Sequence, residues 1–123
     1  MLKESRAFSG YSVDDIDAAK RFYRGILGLD VGQRPEGLTL NLAFGGTVFL
    51  YPKPDHQPAT FTVLNFPVPD IDATVAALAE EGITMERYDG LVQDQRGIAR
   101  PGSGPRIAWF KDPAGNILSV MQE

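Results

Sequence analysis

The chain has 123 residues, 12 Lys and Arg against 16 Asp and Glu, a formal net charge of −4, and no cysteine. That length suits one globular domain able to bury roughly two-thirds of the surface it exposes unfolded, without a covalent staple. Missing cysteine excludes disulfides, thiolate nucleophiles and Cys-ligated metal centres, and missing clusters of Lys and Arg speak against nucleic acid as a partner.

In chain order, Met1–Arg6 has an acidic residue and no long apolar stretch behind it, which does not resemble a secretory signal. No later run is apolar enough for a membrane span. A soluble, cytoplasmic protein without a membrane partner is expected. Ala7–Val13 is a plausible first strand. Asp15 then caps a helix in which Ile16, Ala19, Phe22, Tyr23, Ile26 and Leu27 recur at helical spacing, up to Gly28. Strands are expected at Leu29–Gln33, Leu38–Ala43 and Thr47–Tyr51, with Gly37 and Gly45-Gly46 as punctuation. The segment 52–58 holds Pro52, Pro54 and Pro58 and reads as a linker.

The second half repeats the plan. Ala59–Phe66 is rich in β-branched and aromatic residues. Asp70 caps a helix carrying Ile71, Val75, Leu78 and Ala79 on one stripe, ended by Gly82. Strands are expected at Thr84–Tyr88, in a poorly defined stretch near Leu91–Ala99 with Arg106–Phe110, and at Ile117–Gln122. Asp112–Asn116 forms a tight turn. The segments V-D-D-I-D-A from Val13 and V-P-D-I-D-A from Val68 match at five of six positions, 55 residues apart. Two copies of one strand–helix–strands unit follow, with each helix covering one face of antiparallel-rich strands, an α+β architecture.

The run from Val13 to Leu29 and the closing F-K-D-P-A-G-N-I-L (Phe110–Leu118) resemble the vicinal-oxygen-chelate superfamily of glyoxalase I, extradiol dioxygenases, fosfomycin-resistance enzymes and bleomycin-resistance proteins. The resemblance covers about Arg6 to Gln122. It implies a single domain over 1–123 made of two βαβββ modules, 5–52 and 59–123, joined by 52–58. Their strands would form a U-shaped mixed sheet, or half-open barrel, around a cleft, with the helices on the outer face. It also implies a homodimer. Fold alone does not name the reaction.

Metal-dependent members of that superfamily carry a histidine seven residues before each helix-start aspartate. Those positions here are Phe8 and Val63. The glutamate of the pattern G-N-x-x-E is replaced by Ser119, and the remaining ligand position falls near Leu50. Phenyl and alkyl groups offer no donor atom, and a lone hydroxyl is a poor neutral ligand. The only histidine, His56, lies in the linker and is expected to be exposed. The chain therefore resembles a member lacking the metal ligands, and no cofactor is expected.

Alternate strand residues share a face. A mostly apolar ligand site is expected from Phe8, Ser12, Leu50, Val63, Asn65, Trp109, Ser119 and Met121, with no catalytic residue assigned. Each has a plainer reading. Trp109 belongs equally to a core or an interface, Phe8 can fill the space a metal would take, and Asn65 can bond to backbone or to Ser12. Arg96, Arg100 and Arg106 read as a solvated surface, and Asp14, Asp15 and Asp17 as helix-start residues. No G-x-G-x-x-G, P-loop or G-x-S-x-G motif occurs.

The preferred function is metal-independent binding or sequestration of a small, partly apolar or aromatic molecule, similar to the bleomycin-resistance type. The acidic balance favours a cationic ligand weakly. Two alternatives stay open: a lyase, isomerase or dioxygenase of the same superfamily with an atypical or absent metal site, and a structural or regulatory dimer with a filled cleft.

Overall fold

Asp15 and Asp70 start two helices in the same way. Asp15 has extended backbone (φ −140°, ψ 106°), and its carboxylate accepts the Ala18 N–H at 3.1 Å. Asp70 (φ −143°, ψ 96°) accepts the Ala73 N–H at 3.1 Å. Each carboxylate satisfies an amide that the first helical turn leaves without a partner. Asp17 and Asp72 add negative charge to the same turns.

The computed structural model describes residues 1–123, which fall into two compact units, Met1–Gln57 and Pro58–Glu123. The fold is α+β, with two mixed sheets that do not close. No helix is long and apolar enough to cross a membrane.

The first unit contains β1 (Ser9–Val13), α1 (Ile16–Lys20), β2 (Asp30–Arg34), β3 (Gly37–Asn41) and β4 (Thr47–Pro52). The strands lie in the order β1-β4-β3-β2, with β1 parallel to β4 and the other pairs antiparallel. The expected continuous helix changes character after α1. Arg21–Ile26 is π-helical, and the Leu27 N–H reaches back to the Phe22 carbonyl at 2.9 Å. The wider turn still buries both Phe22 and Tyr23. With Ala19 they join the core formed by Tyr11, Val13, Val31, Leu38, Leu40, Val48 and Leu50. Each buried side chain of leucine size contributes roughly 1.5–3 kcal/mol. The Tyr11 and Tyr23 hydroxyls meet at 2.8 Å inside this core.

The second unit contains β5 (Thr62–Val68), α2 (Ile71–Glu80), β6 (Ile107–Lys111) and β7 (Ile117–Gln122), in the sheet order β5-β7-β6. β5 runs parallel to β7, and β6 antiparallel to it. α2 buries Ile71, Val75 and Leu78 and packs against β7. β5 starts three residues later than expected and continues through Pro67 to Val68. Proline is tolerated because β5 is an edge strand, where one side of the backbone needs no ladder partner.

The strand expected at Thr84–Tyr88 does not form. The segment makes one sheet-like bond, Glu86 N–H to the Trp109 carbonyl at 2.7 Å. Two of its other backbone groups, the Glu86 carbonyl and the Tyr88 N–H, go to one side chain. The Gln93 amide donates to the carbonyls of Glu86 and Gly97 at 2.9 and 2.8 Å, and its oxygen accepts the Tyr88 N–H at 2.9 Å. A side-chain clamp thus does the work of a strand ladder. Near Leu91–Ala99 only isolated bridges form, Gln93 with Ala99 and Ala99 with Ile107.

Candidate functional site

Each sheet has one face packed against its helix and one face away from it. In the first unit the register settles which residues lie where. Tyr11 pairs with Leu50 and Val13 with Pro52, so Gly10 and Ser12 alternate to the other face beside Phe49 and Tyr51. Leu50, expected to line the ligand site, lies in the core with no exposed surface. The helix-free face of β4 is instead carried by Phe49 and Tyr51, whose rings stack at 6.1 Å and 21°. The sequence placed this position only to within one residue, and a shift of one reverses the face. Phe8 is 66% exposed and shares a pocket of about 490 Å³ with Arg34, Glu36, Thr39, Asn41, Thr47, Val48 and Phe49.

Ser12 bonds within its own unit. Its hydroxyl lies 2.6 Å from His56 Nδ1, and the pair is half-buried. His56 was expected to be exposed. The 52–57 segment folds back on β1 through this bond and through Lys53 N–H to the Val13 carbonyl at 2.9 Å.

In the second unit, Asn65 pairs with Ser119 and Trp109 pairs with Ser119 from the other side, so the three share the helix-free face. The Ser119 hydroxyl donates to Asn65 Oδ1 at 2.5 Å. Ser119 is fully buried, while Asn65 is exposed. Met121 follows two residues on in β7 and pairs with Ile107 and Pro67. The register slips between Thr62 and Leu64, which leaves Val63 as the unpaired extra residue and sets Thr62 opposite Ile117. Thr62, not Val63, then accepts the Trp109 indole N–H at 3.1 Å. Trp109 also meets Tyr88 edge-on, with centroids 5.6 Å apart at 81°. Phe61, Tyr88 and Leu91 complete a pocket of about 300 Å³ around Trp109. Sequence reasoning did not single out Phe61 or Tyr88, because no periodicity links them to Trp109.

The family model for the Glyoxalase/Bleomycin resistance protein/Dioxygenase superfamily matches residues 8–120. The chain belongs to this superfamily. Solved structures share its fold over nearly the whole length. TnmS3, an antibiotic binding protein from Streptomyces sp. CB03234, is 23% identical with a TM-score of 0.67, covering 97% of each chain. Lactoylglutathione lyase from Agrobacterium tumefaciens is 21% identical with a TM-score of 0.70, covering 96% of this chain and 93% of that one. The fosfomycin resistance protein FosX from Listeria monocytogenes is 13% identical with a TM-score of 0.73, covering 98% and 93%. No curated protein sequence matches significantly.

The residues that the sequence resemblance sets at the metal-ligand positions do not, by their chemistry, supply a ligand set. Phe8 and Val63 present no donor atom, Leu50 is sealed in the core, and the Ser119 hydroxyl is engaged by Asn65. Nowhere do three His, Cys, Asp or Glu side chains gather closely enough to hold an ion. Three ion pairs form, Lys53–Asp55, Arg106–Asp72 and Lys111–Glu86. Arg106 grips Asp72 with two bonds of 3.2 and 2.8 Å, and this holds the Asp72 carboxyl below its usual range. Burial, reinforced by the Glu86 carboxylate, raises the Tyr88 phenol above its usual range, so it stays protonated at neutral pH.

Proposed function

We propose that the protein binds and sequesters a small, partly apolar or aromatic molecule on the helix-free faces of its sheets, without a metal ion and without breaking a bond in it. One observation carries this reading: where metal-dependent relatives need nitrogen and carboxylate donors, this chain has Phe8, Val63 and a serine already bonded to Asn65. The same faces present aromatic side chains and a few polar groups, the usual composition of small-molecule sites. The antibiotic-binding neighbour gives a precedent on the same fold. The protein acts in the cytoplasm as a homodimer in this reading, with a small molecule as its other partner.

The test uses protein purified without added metal, titrated with a panel of aromatic and antibiotic compounds by calorimetry. Saturable binding at about one site per chain, unchanged by chelator, with the compound recovered intact, is expected. A stoichiometric transition ion with chelator-sensitive turnover would instead establish a lyase, isomerase or dioxygenase. Failure across the panel would favour the structural-dimer reading, and sedimentation analysis gives the oligomeric state in either case.

A further inference from the structure

Three aromatic residues from three separate segments line one pocket of the second unit, and two of them, Tyr88 and Trp109, are in ring contact. Phe61 immediately precedes β5, Tyr88 sits in the segment clamped by Gln93, and Trp109 is central in β6. With Thr60, Thr62, Leu91 and Ile117 they line the pocket of about 300 Å³, the small end of the range for ligand sites. Phe61 is 67% and Tyr88 37% exposed, unusual for rings that only fill a core. The indole is held in place, because its N–H is committed to Thr62. What Trp109 offers a ligand is therefore its π surface, not a donor.

We infer that this aromatic pocket receives an N-methylated organic cation, held by cation–π attraction to Phe61, Tyr88 and Trp109. This rests on the binding reading above and names its ligand class. Ring faces carry the negative end of the aromatic quadrupole and attract a cation within about 6 Å of the centroid. No carboxylate lines the pocket, so a primary ammonium would give up hydration for at most neutral hydroxyl acceptors, from Thr60, Thr62 and Tyr88, for its three N–H groups. A methylated ammonium has few or no such donors to satisfy. The surrounding charge is compatible. The chain carries −4 overall. Lys111 is paired with Glu86 at 3.4 Å. The Arg87 guanidinium is committed to the carbonyls of Asp94 and Gln95 at 2.7 and 2.9 Å.

The test is a titration of choline against its uncharged isostere 3,3-dimethylbutan-1-ol, read by the fluorescence of Trp109, the single tryptophan. Choline is expected to give a saturable change at an affinity at least about ten-fold above that of the alcohol. Phe61→Ala and Tyr88→Leu should each weaken choline by about five- to thirty-fold, and Tyr88→Phe should retain it. Phe61 is mostly exposed, so its replacement leaves the core intact. Equal binding of choline and the alcohol, or indifference of choline to both ring deletions, overturns the inference. If choline fails while a neutral aromatic such as 2-naphthylmethanol saturates the Trp109 signal, the ligand class is wrong and the binding reading survives. If neither these probes nor any compound of the panel binds, both fall.

Discussion

The Ser119 hydroxyl donates to Asn65 Oδ1 at 2.5 Å across the directly paired strands β7 and β5. Ser119 is fully buried and Asn65 is exposed, so the two ends of this bond are not equivalent. Removing the hydroxyl leaves an amide that water can serve. Removing the amide leaves a buried hydroxyl without its acceptor. Ser119→Ala should cost about 0.5–1.5 kcal/mol of stability and Asn65→Leu about 1–3 kcal/mol. Urea unfolding of the two variants checks the order, and a larger loss for Ser119→Ala would contradict it.

Asp112 organises the turn between β6 and β7. One carboxylate oxygen accepts the Ala114 and Asn116 N–H groups at 3.0 and 2.8 Å, and the other accepts the Asn116 side-chain amide at 3.0 Å. Both Asp112 and Asn116 are buried. Asp112→Ala should destabilise by about 3 kcal/mol, since charge-assisted bonds to buried groups are lost together. Asp112→Asn should fall between, because it keeps one oxygen for the backbone but sets two amide donors against each other. Thermal unfolding of both variants measures this.

The Arg106–Asp72 pair links stability to pH. Its hydrogen bond to Arg106 lowers the Asp72 carboxyl below the unfolded value. The unfolded chain therefore binds the proton more tightly. The pair's contribution is fully present above the unfolded carboxylate range and is lost as pH falls through the lower folded value. Asp72→Asn should flatten the acid limb of the stability curve below the ordinary carboxylate range, about pH 4, and change little of its slope near neutrality. Added salt should shrink the difference, because both side chains are partly exposed. Urea midpoints from neutral to acidic pH decide it.

Gly37 begins β3 with φ +157°, and a Cβ there would run into the Leu50 carbonyl oxygen of β4. Backbone atoms in a paired strand cannot step aside as a flexible side chain can. Gly37→Ala should cost about 2–3 kcal/mol or more. Gly25→Ala, where a Cβ meets nothing within 4 Å, is the matched control and should be near neutral or stabilising. Chemical denaturation of the pair tests the contrast.

The sequence by itself determined the repeated plan and the helix starts. Local chemistry decides these: a carboxylate one residue before an apolar stripe caps that stripe wherever it occurs, and Asp15 and Asp70 do so with the same geometry. The glycines after each helix, Gly28 and Gly82, take positive φ (72° and 84°) for an equally local reason. Side-chain chemistry alone also showed that Phe8 and Val63 cannot ligate a metal. Only the tertiary structure decided which face each strand residue occupies. A slip of one residue moved Leu50 into the core and Phe49 and Tyr51 out of it, and the irregularity at Val63 gave its place opposite Ile117 to Thr62. It also decided the non-local partners: Ser12 with His56, 44 residues away, and Trp109 with Thr62, 47 residues away. Register and long-range contact arise from packing between distant segments, and no local pattern encodes them.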